Sequence, residues 1–258
     1  MRFLKIPKRF TKKYKRHLKT TAISPQHNDL YVVEFPKSGV TWLSSILANV
    51  ALISSGRREI ASFTAAHLFI PDIHVSRHVG TALYDTPPMR MIKSHAEFNP
   101  NYNFVIYLAR NPLDVMKSYF RFIKETSGPE FASFDEFCHS EKVGIPAWKR
   151  HVASWFEGKV ICQRVHLCRY EDLIANAVQE IELISRNYGW NIEKSAIEMA
   201  VTRSSVETMK ESERLYKSRN PRYTMTFIRG ENDCVVEERT KSYIDRECEK
   251  ELKLLGYK

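Results

Sequence analysis

The sequence lacks what would place it in a membrane or in an oxidising compartment. No stretch reaches the roughly 18 consecutive apolar residues that a membrane span needs. The nearest, Trp42 to Ile53, is short and interrupted by Ser44, Ser45 and Asn49. No apolar segment follows the basic start, as a secretory signal would require. Cysteine is scarce: five residues (Cys138, Cys162, Cys168, Cys234, Cys248), an odd number with no Cys-x-x-Cys pair. That argues against a disulfide framework and a zinc site, and fits packing residues in a reducing, cytoplasmic setting. Acidic residues are missing from the first 20 positions, which hold nine Lys or Arg. Without these nine, 31 basic residues of the original 40 face 30 acidic ones, so the excess charge belongs to the N-terminal arm.

What is present is enough for one large α/β domain. A chain of 258 residues, 43% hydrophobic and 27% charged, can bury a real core. Residues 1–28 read as a basic arm and 29–258 as the folded domain. Within the arm, Phe10, Tyr14 and Leu18 recur at four-residue spacing among cations. This pattern fits a solvated basic tail. Its alternative is a helix lying on the anionic inner face of a membrane. A nucleic-acid partner is not expected, because the basic surplus does not extend into the domain.

From residue 29 strands and helices alternate. The residues predict strands over Asp29–Phe35, Met89–Lys93, Asn103–Ala109 and Val165–Arg169. They predict helices over Val40–Ser54, from Asn111-Pro112 to Thr126, after Ser133, from Pro146, and over Glu171–Asn187 with closure near Gly189. Asn111 is a good N-cap before a proline, and Ser133 to Glu136 has the capping-box spacing. This alternation implies a single domain with a mostly parallel central sheet flanked by helices.

Two strand–helix turns carry chemistry. The first, Phe35-Pro36-Lys37-Ser38-Gly39-Val40-Thr41-Trp42, brings a glycine, a lysine and two hydroxyls to a helix start, where free N–H groups and the helix dipole favour an anion. It is P-loop-like but not a Walker A loop, because the lysine precedes the glycine. The second is Tyr107 to Tyr119. Arg110 follows an apolar strand at the carboxyl edge of the sheet, and Ser118 lies eight residues later on the next helix. Each turn alone is also compatible with an ordinary surface turn.

Together the two segments resemble the PAPS-dependent sulfotransferases of the cytosolic and bacterial type, PAPS being 3′-phosphoadenosine 5′-phosphosulfate. The stretch Asp85 to His95 is similar to the family's segment ending in Lys-Thr-His. Trp148, His151 and Trp155, then Tyr170-Glu171-Asp172, are similar to its middle region, and Phe227-Ile228-Arg229-Gly230 to its C-terminal loop. The resemblance covers roughly residues 30–230 and implies a sulfotransferase fold that binds PAPS as co-substrate without a metal. It implies His95 as general base, with Lys37 and Lys93 stabilising the leaving group. Lys37, Ser38, Gly39, Val40, Thr41 and Trp42 would hold the phosphosulfate and adenine. Arg110, Ser118 and Arg229 would hold the 3′-phosphate, and Tyr170, Ser204, Phe227 and Gly230 would complete the nucleotide site.

The match has departures. Val40 stands where many relatives carry a hydroxyl, Val206 replaces an aromatic, and Arg229 is followed directly by Gly230. The residues also admit a P-loop-like nucleotide kinase or NTPase, or a non-catalytic nucleotide-binding protein at a membrane. Against the first stands the lysine order, and against the second the joint presence of Lys37, Lys93 and His95. The acceptor, whether a small molecule, a glycoconjugate or a lipid, would be chosen by Arg57–Gly80, Glu97–Asn101 and Ser127–Gly144. The first contains His67, Phe69, Ile70, Pro71, His74 and His78, a mix that suits an amphipathic or carbohydrate-bearing acceptor and is diagnostic of neither.

Overall fold

A computed structural model of the chain describes residues 3, 26–61, 65–74, 89–127, 130–157, 164–221, 226 and 235–257. Strand β1 is Leu30–Glu34. Its residues are all buried, as a strand covered on both faces requires. Pro36 ends it, and helix α1, Val40–Ser54, follows at once. Strands β2 (Met91–Ser94) and β3 (Phe104–Ala109) come next. Helix α2, Pro112–Thr126, starts as the Asn111-Pro112 pair predicts, with the Asn111 side chain accepting from Leu113 N at 3.0 Å. Helices α3 (Phe134–Cys138) and α4 (Ile145–Phe156) lead to strand β4, Arg164–Arg169.

The four strands are parallel, in the order β2-β1-β3-β4. The chain leaves β1 for one side of the sheet and then crosses to the other. The loops after β1 and β3 therefore diverge at the carboxyl edge, the topological switch point where open α/β sheets bind ligands. Alternation along the strands splits the core in two. Leu30, Val32, Ile106 and Leu108 face α1, whereas Tyr31, Val33, Val105 and Tyr107 face the Trp148 and Trp155 side of α4.

The sequence predicts one helix over Glu171–Asn187, but the structure has two: α5, Tyr170–Ala175, and α6, Ala177–Tyr188. Asn176 divides them. Its backbone leaves the helical region (φ −156°, ψ 82°), and its side chain accepts from Gln179 N at 3.1 Å as a new N-cap. Four further helices follow where no sequence signal was assigned: α7 (Lys194–Arg203), α8 (Val206–Arg219), α9 (Glu238–Glu247) and α10 (Glu249–Leu254). No described helix is long and apolar enough to cross a membrane. Of the arm, only residues 3 and 26–28 are described, and Phe3 pairs with Ile60 in a single parallel bridge.

Candidate active site

The turn after β1 is held by strain and by a ring. Lys37 has φ 77° and Gly39 φ 112°, both left-handed. Only glycine adopts that region without cost, so the lysine is strained there. A Cβ on Gly39 would overlap Cδ2 and Cε2 of the Tyr170 ring, so the ring seals the glycine from one side. The Trp42 ring meets Tyr170 edge-on at 6.0 Å, and the Arg110 guanidinium lies 4.5 Å over the same ring. Tyr170 is thus the hinge-pin around which the two sequence motifs meet.

Arg110 forms no ion pair with Asp114, and its buried Nε has no hydrogen-bond partner. A buried charged donor left unpaired is costly, and a phosphate oxygen is the acceptor that would repay it. Lys37 Nζ rests 4.5 Å from the centre of the Phe122 ring on α2. Ser38 is buried and its hydroxyl donates to Phe35 O at 2.8 Å, so it braces the turn. Gly39 and Thr41 bring their N–H groups to the same end of α1, the end that favours negative charge. Ser118 lies half-exposed in the second turn of α2.

Ser204 is buried where α7 ends. Its carbonyl accepts from Trp42 Nε1 at 2.9 Å and its hydroxyl accepts from Asn49 Nδ2 at 2.9 Å. These bonds fasten the Trp42 side chain from behind. Glu171 fastens the Arg110 loop: one carboxylate oxygen accepts from Asn111 N at 2.9 Å, the other from the Tyr257 hydroxyl at 2.6 Å. Arg169 reaches the Gly256 carbonyl beside it. The chain's C-terminal stretch therefore braces the second motif.

Beside β1, the carboxyl end of β2 carries Lys93 and His95. His95 lies between two carboxylates that no sequence motif indicated. Its Nδ1 is 3.2 Å from the Glu34 carbonyl and 3.8 Å from Glu34 Oε1, and its Nε2 is 3.7 Å from Asp72 Oδ2. Asp72 also pairs with Lys93 Nζ at 3.2 Å and accepts from His74 N at 2.9 Å. The His74 ring stacks on His95 at 6.0 Å. Burial pushes the His95 pKa down; Glu34 pulls it up, Lys93 pushes it down and Asp72 pulls it up, leaving it below the ordinary imidazole value. Burial raises the Asp72 carboxyl, but Lys93, the His74 N–H and His95 together hold it below the usual carboxylate range.

The one signal that could have singled out Glu34 is an acid closing an otherwise apolar strand. Asp72 gave no local signal, since only the fold of its loop carries it to β2. Within the loop expected to choose the acceptor, Phe69 and Ile70 are buried in the core under α1, because apolar side chains there gain more from the core than from a wet pocket. Phe227, Arg229, Gly230 and His78 lie outside the described residues.

Comparison with known proteins bears on the whole domain. The model of the family described as the sulfotransferase domain matches residues 27–253. Mouse sulfotransferase 1B1 is 30% identical over 201 residues, covering 71% of this chain and 66% of that protein. Rat sulfotransferase 1A1 is 28% identical over 201 residues, covering 72% and 68%. The chain thus spans about two thirds of the length of these curated relatives. Among solved structures, a retinol dehydratase in complex with retinol and PAP superimposes with a TM-score of 0.67 at 17% identity, covering 93% of this chain and 86% of that one. A mouse sulfotransferase complexed with PAP gives 0.59 at 18% identity, covering 96% and 94%.

Proposed function

The chain belongs to the sulfotransferase domain family, and on that premise we propose that it moves a sulfuryl group from PAPS to an acceptor hydroxyl or amine, with His95 as general base. The observation that carries this reading is the meeting at one sheet edge of an anion-favouring helix start, the unpaired Arg110 Nε and the Lys93–His95 pair. The donor supplies the activated sulfuryl group. Arg110 and the Tyr170 and Trp42 rings bind and orient the nucleotide. Lys37 and Lys93 stabilise charge that develops on the oxygen of the leaving phosphate during in-line transfer. His95 takes the acceptor proton at Nε2, because a neutral imidazole kept so by burial is a base at working pH.

The bound PAP of the structural neighbours supports a nucleotide site of this class. The fit is also local: a phosphate answers the unsatisfied Arg110 donor, and a planar base answers the aromatic pair. The acceptor class is a small molecule, a glycoconjugate or a lipid.

An acceptor panel incubated with PAPS and read by mass tests the reaction, with thermal melting in PAP and in ATP alongside. Transfer to a hydroxyl or amine compound, with melting raised by PAP, is the expected result. A melting rise with ATP alone overturns the reading in favour of a kinase or NTPase. His95→Ala should lower transfer about 100- to 10,000-fold while PAP still raises the melting temperature. An active His95→Ala enzyme overturns the base assignment.

A further inference from the structure

Glu34 has no part in the chemistry derived so far, yet it touches both halves of the site. It closes β1 and is 2% exposed. One carboxylate oxygen, Oε2, accepts from Val40 N at 2.9 Å. Val40 is the first residue of α1, so this N–H is one of those that an α-helix leaves without an internal partner. The other oxygen, Oε1, sits 3.8 Å from His95 Nδ1, and the residue's own carbonyl is nearer still, at 3.2 Å. A carbonyl can only accept, so the contact requires the proton of neutral His95 to reside on Nδ1. Nε2 is then the unprotonated nitrogen.

We infer that Glu34 is a positioning residue for His95: its carbonyl fixes the tautomer that leaves Nε2 to receive the acceptor proton, and its carboxylate ties the base to the donor-binding turn and supports the cation that forms. The inference rests on the proposed role of His95. When Nε2 gains its proton, the ring becomes a cation with a carboxylate on either side, Glu34 at Nδ1 and Asp72 at Nε2. The logic is that of a base oriented by a third group. A carboxylate would otherwise be a poor neighbour for an anionic donor. Here Val40 N–H satisfies one oxygen, and the cationic ring forms at the step where charge support is needed.

The charged and titratable groups around His95 come from every packed element. They are Glu34 on β1, Lys93 on β2, Asp72 and His74 on the segment before it, and His151 on α4, with Tyr107 on β3 coupled to Glu34. Lys93 and Asp72 act on the ring in opposite senses. His151 is held neutral by burial, its pKa pushed down to about 3. Glu34 pulls the His95 pKa up more strongly than Asp72 does, so removal of its charge should lower that pKa.

The test compares Glu34→Gln with wild type. The amide oxygen of glutamine still accepts from Val40 N–H, so the turn keeps its brace while the charge is lost. The expected result is a kcat lower by at least about tenfold, with KM for PAPS changed less than about twofold. The acid limb of kcat/KM should move to lower pH. A raised KM for PAPS with kcat and acid limb superimposed on wild type overturns the inference, because Glu34 would then only brace the turn. Nitrogen-15 NMR of histidine-labelled wild-type protein is independent of any variant's folding. An Nδ1–H tautomer for His95 is expected, and an Nε2–H tautomer overturns the inference. His95→Ala separates the two levels. Undiminished transfer there rejects His95 as base, whereas an inactive His95→Ala beside a wild-type-like Glu34→Gln rejects only the role of Glu34.

Discussion

Around Gly39 the site is held by faces of rings: Tyr170 against the glycine, Trp42 edge-on to Tyr170, and the Arg110 guanidinium over the same ring. Around His95 it is held by charge, with Glu34 and Asp72 at the two ring nitrogens and Lys93 on Asp72. The difference suits the two tasks proposed for them. A nucleotide needs a shaped, planar berth whose form does not vary with pH. A proton acceptor needs neighbours that respond when its own charge changes. Substitutions on the ring side should alter donor affinity and leave the pH profile alone, and those on the charge side should do the reverse.

The largest expected effect concerns the wall behind the base. His151 shares a 2.8 Å hydrogen bond with the Tyr107 hydroxyl and is pushed down to about 3 by burial. A histidine so depressed contributes stability that is intact above its unfolded value of about 6.5. That contribution is lost as pH falls toward 3, a total on the order of 5 kcal/mol. Urea unfolding between neutral and acid pH should show this fall in wild type and a flatter one in His151→Gln. Parallel curves would mean that the charge side is not dry.

On the ring side, Arg110→Met should weaken PAP binding roughly 10- to 100-fold by calorimetry, the scale of charge-assisted hydrogen bonds. Gly39→Ala must force a side chain into the left-handed region and into Tyr170, and should cost about tenfold in PAP affinity. Neither should move the acid limb of the rate profile. The smallest effect is expected for Asp72→Asn. It should lower kcat a few-fold and shift that limb to lower pH, since Asp72 holds the His95 pKa up, with PAP affinity unchanged. Loss of PAP affinity in Asp72→Asn, or a shifted limb in Gly39→Ala, would break the division.

The same division governed what the residues disclosed in advance. The ring side is built from local runs, Phe35–Trp42 and Tyr107–Tyr119, where strand, turn and helix signals sit within a few residues of the chemistry. Asn111 could be recognised as a cap because its partner, Leu113 N, is two positions away. The charge side depends on contacts between distant segments: Asp72 reaches Lys93 and His95 only through the fold of an irregular loop. Ser204 shows the intermediate case. The resemblance implies Ser204 in the nucleotide site, but its hydroxyl is engaged by Asn49 and its carbonyl by Trp42, long-range bonds that no spacing rule reports. The break at Asn176 was missed because a strong apolar period ran across it, and the cap there outcompetes helix continuity.

The bond from Tyr257 to Glu171 has a consequence for how the protein is made. During synthesis all four strands emerge well before residues 256 and 257. Until that stretch appears, Glu171 has its hold on Asn111 N–H but not its outer support, and Arg169 lacks the Gly256 carbonyl. The four strands can therefore pair before the Glu171 brace is complete, so the second turn gains its outer support only after the sheet has its partners.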